Sequence, residues 1–179
     1  MLLEDHTVKS QLVDMFRAAL RHLDISASMS ARIHCYRDVL TIGEDLYDLS
    51  TYQRVQAVAI GKAASEMAAT FDLLIGRERA SGIVVAPRLP ELPLKNFRYI
   101  CGGHPYPNQG SVQAARAVLR LLEAASEESL NVFLISGGGS ALFEAPLWDD
   151  IPLENCQQLY ETLVTCGANI YEIDRKSVV

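Results

Sequence analysis

Three short runs of this chain carry residue types suited to holding an anion. In NVFLISGGGSALF (131–143) an apolar β-type run stops at Ser136, Gly137, Gly138 and Gly139 follow, and helix formers resume after Ser140. Glycine has no Cβ, so such a turn lets backbone N–H groups converge on one point and lets a ligand approach closely. A helix opening near Ser140 would aim its unpaired N–H groups and positive dipole end at the same point. A phosphate or carboxylate is the expected occupant, and Ser140 can both cap that helix and touch the anion. A flexible joint is the competing reading, but joints lie between polar segments, whereas this run lies between VFLI and ALF.

The second run is Ile60-Gly61-Lys62-Ala63-Ala64, directly after an apolar strand-like stretch. A cation in the first turn of a helix is disfavoured by some tenths of a kcal/mol. A bound phosphate reverses that sign, and lysine suits it as a mobile point charge with three donors. A solvated lysine at a helix start is the plainer alternative. The third run is CGGHPYPN (101–108). Pro105 biases His104 toward an extended backbone, and Pro107 with Asn108 makes a tight turn before a helix near residues 109–111. That rigidity would aim His104 and the Gly102 and Gly103 amides in one direction. His104 then either donates to an anion or acts as an acid or base near neutral pH, or it is satisfied by loop carbonyls. Asn108 and Ser111 read best as helix caps.

Other chemistries find no support. The chain has no HExxH, no paired histidine ligands, no Walker A GxxxxGK[ST] and no GxSxG elbow. Glu144, Asp149 and Asp150 follow the glycine run, where a solvated acidic loop is a better account than a Mg²⁺ site, so no metal ligand is assigned. Cys35, Cys101, Cys156 and Cys166 show neither CxxC nor metal-ligand spacing and read as reduced thiols of a cytoplasmic protein. The net charge of −6 argues against a nucleic-acid or anionic-membrane surface. No stretch approaches the roughly 18 apolar residues of a membrane span, and MLLEDHTVKS lacks the basic and apolar regions of a signal peptide.

The elements that must position these runs follow from periodicity. Val8, Leu12, Phe16, Leu20 and Leu23 recur at helical spacing, predicting an amphipathic helix over 7–23. Residues 33–48 predict a hairpin turning near Ile42-Gly43-Glu44. Strands are predicted at 55–60, 82–86, 97–101 and 131–136, with helices over 62–75, 109–125 and 153–168, and a proline-rich surface connection follows Pro87. Short, apolar, non-alternating strands separated by helices imply an α/β fold: a Rossmann-like three-layer sandwich with a mostly parallel sheet covered on both faces. Ligands in such sheets sit beyond the carboxyl ends of the strands, and all three glycine-bearing turns fall there. The 179 residues suit one domain.

At these loops the chain resembles the class II glycerate kinases, a family often labelled hydroxypyruvate reductase. The matching runs are VAIGKAASEMA (58–68), GGHPYPNQGS (102–111), LISGGGSALFEAP (134–146) and CGANIYEI (166–173), in the family's order over nearly the whole chain. The resemblance implies a two-domain enzyme that transfers the γ-phosphate of ATP, with Mg²⁺, to D-glycerate, commonly giving 2-phosphoglycerate. It implies a Rossmann-like N-terminal domain facing a smaller C-terminal one across the active-site cleft. Carried over by position, the family's motif lysine is Lys62, the glycine–serine loop is Ser136 to Ser140, and the His-Pro loop holds His104. After EI (172–173) the family continues through a longer basic run, a catalytic aspartate and the second domain, whereas this chain reads DRKSVV (174–179). The expectation is therefore a truncated N-terminal domain, weak or inactive alone, whose bared interface favours a homo-oligomer. Two further readings stand behind it: a non-catalytic nucleotide- or acid-binding fragment, and a sugar-phosphate isomerase-like domain, since a strand followed by IGKAA also opens those domains.

Overall fold

The computed structural model describes residues 2–21, 24–146, 148, 150–167 and 169–174. The chain opens with helix α1 (Leu2–Arg21) and a short α2 (Ile25–Ser30), started by the Asp24 carboxylate accepting from the Ala27 N–H. Strands β1 (Ile33–Tyr36), β2 (Val39–Ile42) and β3 (Asp45–Asp48) then form an antiparallel meander of order β1-β2-β3. The predicted hairpin is thus only its second half. Gly43, at φ 63°, turns β2 into β3, and Arg37, at φ 56°, makes the β1–β2 turn, which no glycine marks. Left-handed φ at a residue with a Cβ is uncommon, and the Arg37 carbonyl accepts from Arg79 Nη1 at 2.8 Å.

The second sheet is the scaffold of the site. Strands β4 (Arg54–Ile60), β5 (Ala80–Ala86), β6 (Phe97–Cys101) and β7 (Ser129–Ile135) are all parallel, in the order β6-β5-β4-β7. Helix α3 (Ala64–Ile75) joins β4 to β5, and α4 (Gln109–Glu123) joins β6 to β7. A single turn, α5 (Gly139–Leu142), follows β7, and α6 (Leu153–Thr165) and α7 (Ile170–Asp174) close the described chain. The predicted Rossmann-like layering is present. On one face Ala57, Ala59, Val84 and Leu134 pack with Ala64, Ala68, Phe71 and Ile75 of α3, backed by Met29, Ile33 and Leu40 of α2 and the meander. On the other, Val58, Ile60, Ile83, Val85 and Ile100 pack with Ala114 and Val118 of α4 and Leu142 of α5. The alanines on β4 and α3 keep that helix close to the sheet, so both faces of β4 are dry, as its unbroken apolar run requires.

In the parallel sheet and its helices, element ends differ from periodicity by at most three residues, and α1 begins five residues earlier, at Leu2 rather than residue 7. Strand β5 begins at Ala80 rather than Gly82, and β7 runs 129–135 rather than 131–136. The more consequential difference is at α1. Its stripe of Val8, Leu12, Phe16 and Leu20 is exposed, Phe16 at 65 %, so the amphipathic pattern made a helix without burying it. Leu23 lies outside the described residues.

Candidate functional site

The strand order decides where a ligand can sit. From β4 the chain steps outward through β5 to β6, then returns to place β7 on the other side of β4. Connections leaving the carboxyl ends of β4 and β7 therefore diverge to opposite faces, and such a switch point opens a crevice. The two loops at that crevice are the Gly61-Lys62 loop and the glycine run at 136–140.

These loops are stitched together by short-range bonds. Ser136 N–H donates to the Ile60 carbonyl at 2.9 Å and Lys62 N–H to the Gly137 carbonyl at 3.0 Å. The Ser136 hydroxyl accepts from Ala63 N–H at 3.1 Å and reaches the Ile60 carbonyl at 3.3 Å. Gly61, at φ 125°, has room for nothing more: a Cβ there would lie 2.2 Å from Ser136 Oγ and 2.5 Å from its carbonyl oxygen. Its own N–H donates to Val85 O at 3.0 Å. Gly61 and the Ser136 hydroxyl thus hold the two loops against each other, and neither faces the open side.

The third loop reaches the same point from the sheet edge. Gly138 is left-handed, at φ 88°. A Cβ built on it would fall 2.7 Å from His104 Cδ2, 2.9 Å from His104 Nε2 and 3.3 Å from Lys62 Cε. The imidazole of the His-Pro loop and the end of the lysine stem therefore both lie against the bare face of Gly138. Lys62 and His104 are exposed, and a Cβ at Gly137 would meet nothing within 4 Å. The result is an open, solvent-facing cluster of one ammonium, one imidazole and a glycine turn. Gly139, Ser140 and Ala141 begin α5, and no helical carbonyl can accept their N–H groups.

Several expected details change. Helix α3 starts at Ala64 with Ala63 as its cap, so Lys62 precedes the helix instead of standing in its first turn. The main-chain clamp to Gly137 holds the lysine outside the helical path. Gly138, not Ser140, is the cap residue of α5, because the turn needs a left-handed φ there, and α5 is one turn long, so it has little dipole to offer. The Gly102 and Gly103 amides do not point into the site. Gly102 N–H donates to Ala86 O at 3.2 Å and Gly103 N–H to Ser111 Oγ at 3.0 Å. Asn108 and Ser111 form the expected caps, reciprocally, as a capping box. Asp150 is exposed, Asp149 and residues 175–179 lie outside the described residues, and among the described residues no three His, Cys, Asp or Glu side chains gather as metal ligands.

Periodicity missed the role of α6. Gln157 Nε2 donates to the Pro107 carbonyl at 2.8 Å, and Tyr160 Oη donates toward Ser140 O at 2.8 Å and Glu144 Oε2 at 2.6 Å. Spaced three apart, the two side chains share one helix face, so a single helix braces both the His-Pro loop and the start of α5. Burial first, then the Glu144 carboxylate, pushes the Tyr160 phenol well above its ordinary range, so it stays a neutral donor. The thiol of nearby Cys156 is raised by the same two causes in the same order. The i, i+3 spacing was visible in sequence, but what that face touches was not.

A family model described as a domain of unknown function, DUF4147, matches residues 11–176. The chain belongs to this family. It is 39 % identical over 122 residues to a D-glycerate 2-kinase of Thermotoga maritima, covering 68 % of this chain and 29 % of that protein. Identity to a glycerate 2-kinase of Pyrococcus horikoshii is 38 % over 121 residues, 68 % of this chain and 27 % of that one. The chain therefore spans under a third of the length of these curated relatives. Among solved structures, the PH0495 protein of Pyrococcus horikoshii superposes with a TM-score of 0.76 at 29 % identity, over 93 % of this chain and 37 % of that one. The glycerate kinase of Thermotoga maritima superposes at 0.60 over 68 % of this chain and 29 % of its own. No helix among the described residues is long and apolar enough to cross a membrane.

Proposed function

We propose that this domain provides the phosphate- and acid-holding wall of an ATP-dependent D-glycerate kinase, whose product is 2-phosphoglycerate. The observation that carries the reading is the packing of His104 and Lys62 on the bare face of Gly138, which gathers three loops at the carboxyl ends of a parallel sheet. Relatives named as glycerate kinases support the substrate class.

The described residues suit the anionic part of a nucleotide. Lys62 offers a mobile positive charge, His104 a donor at neutral pH, and Gly139, Ser140 and Ala141 unpaired N–H groups beside the open space at Gly137. Phosphoryl transfer asks for positioning and charge neutralisation more than for covalent help, and these groups do both. Among the described residues no acidic cluster forms, so they do not suit Mg²⁺ by themselves. Nor does any of them stand as a base for the acceptor hydroxyl. In this proposal both functions come from parts of the cleft that the relatives' additional length contains, and the chain alone turns over little. Pairing of two copies through the exposed stripe of α1 belongs to the same proposal.

The test is Lys62→Ala in the equivalent position of a full-length glycerate kinase relative, with phosphoglycerate formation measured. Loss of at least about tenfold in kcat/KM, or 1.4 kcal/mol of transition-state stabilisation, is expected. Near-normal activity with unchanged KM for both substrates would sink the assignment. Turnover by this chain alone near the usual enzyme range of about 1–10³ s⁻¹ would show that the catalytic groups lie within it.

A further inference from the structure

Behind the α5 turn lies a cavity of about 310 Å³ unlike the anion site in character. Its walls come from α4 (Val112, Arg116, Leu119), from the segment after α5 (Glu144, Pro146, Trp148) and from the start of α6. Most lining residues are apolar by type, Trp148, Leu119, Ile151 and Leu153 among them, while polar atoms, with Arg116, Glu144 and the Gln109 amide nearby, make up almost half of the wall. Apolar walls with a few convergent polar groups are the usual build of a small-molecule pocket, and the volume lies at the lower end of that class. The cavity adjoins the anion loop through one side chain: Glu144 lines it, and Tyr160 links the Glu144 carboxylate to the Ser140 carbonyl of α5.

Resting on the reading of the loops as a nucleotide-phosphate site, we propose that this cavity receives the purine base of the nucleotide. Glycerate is small and fully polar, and would leave the Leu119, Trp148 and Ile151 part of the wall unmatched. A flat heteroaromatic ring matches them. It stacks on Trp148, which is 64 % exposed and so presents a free face. The guanidinium of Arg116, exposed on α4, packs over the ring plane. Gln109 and Glu144 then supply a hydrogen-bonding amide and carboxylate for the ring's polar edge.

Trp148 is the single tryptophan of the chain, so its fluorescence reports on this cavity alone. Adenosine, inorganic tripolyphosphate and MgATP are titrated into the purified chain, with calorimetry in parallel. Adenosine is expected to change Trp148 emission saturably, and tripolyphosphate to bind in competition with MgATP while leaving that emission unchanged. Val112→Phe, which fills the cavity, and Arg116→Ala, a surface change that spares the fold, should each weaken adenosine and MgATP at least tenfold. Tripolyphosphate affinity should stay within twofold. Tripolyphosphate binding without any adenosine signal in fluorescence or calorimetry overturns the base site and leaves the anion-loop reading standing. Binding of neither ligand removes both. Adenosine affinity unchanged in both variants also overturns the proposal, because the nucleoside would then sit elsewhere.

Discussion

Gly138 shows how one missing side chain organises a site. His104 and Lys62 come from loops separated by 42 residues of sequence, and only the bare α-carbon between them lets both lie on the same turn. Gly138→Ala is predicted to cost about 1–2 kcal/mol through its left-handed φ and to displace the imidazole, lowering tripolyphosphate affinity at least about tenfold. Gly137→Ala is the matched control. A Cβ there meets open space, so urea unfolding should move by no more than about 0.5 kcal/mol. Equal behaviour of the two variants would refute the packing of His104 and Lys62 on Gly138. Tyr160 gives a second prediction at this scale. A phenol whose folded pKa is raised above its unfolded value contributes stability that is whole below the unfolded pKa of about 10. That contribution is lost as pH rises toward the folded value, because the unfolded chain then holds fewer protons. Unfolding free energy should thus fall with pH more steeply in the wild-type chain than in Tyr160→Phe as pH rises above about 10. Parallel slopes from urea midpoints would show that the phenol is not held neutral by its surroundings. At neutral pH the same variant should lose about 1–3 kcal/mol, since the Ser140 carbonyl and the Glu144 carboxylate lose the one phenol proton they share.

At the scale of elements, β4 and β5 are close enough that glycine is required in the sheet interior. Gly82 pairs with Ala57, and a Cβ on Gly82 would lie 1.8 Å from the Ala57 carbonyl oxygen. Neither strand can yield: β4 is held on its other side by β7 and on both faces by α3 and α4. Gly82→Ala is predicted to cost at least about 2 kcal/mol by overpacking, which is about 4–8 °C in Tm for a domain of this size. A shift under roughly 2 °C would be incompatible with this register. The strand was readable in GIVVA, but its start was not, since Ala80 and Ser81 look like the end of the preceding turn. Helix α4 was readable almost to the residue because Asn108 and Ser111 supply a reciprocal cap, a signal local to four residues. The β1–β2 turn escaped because Arg37 adopts a left-handed φ without the glycine that normally advertises one.

For the molecule as a whole, the uncovered apolar surface on α1 makes a definite prediction. Val8, Leu12, Met15, Phe16 and Leu20 are all substantially exposed, so Leu12→Glu with Phe16→Glu should change thermal stability little, within about 1 kcal/mol for the two surface changes. The proposed pairing of copies should appear as a concentration-dependent rise in sedimentation coefficient that this double variant abolishes. A wild-type chain that sediments as a monomer at all concentrations would remove it. What the sequence determined alone was whatever depends on near neighbours: apolar strand runs, helical spacing, caps, and glycine turns at strand ends. From these came the α/β class, the layering and the three loops. Strand order is a property of how the runs pair, and only the tertiary structure put β7 beside β4 and created the crevice between their loops. The same holds for the internal duties of Gly61 and Ser136, the bracing by Gln157 and Tyr160, and the contact of His104 with Gly138. Each is an interaction between residues tens of positions apart, set by packing that no local pattern encodes.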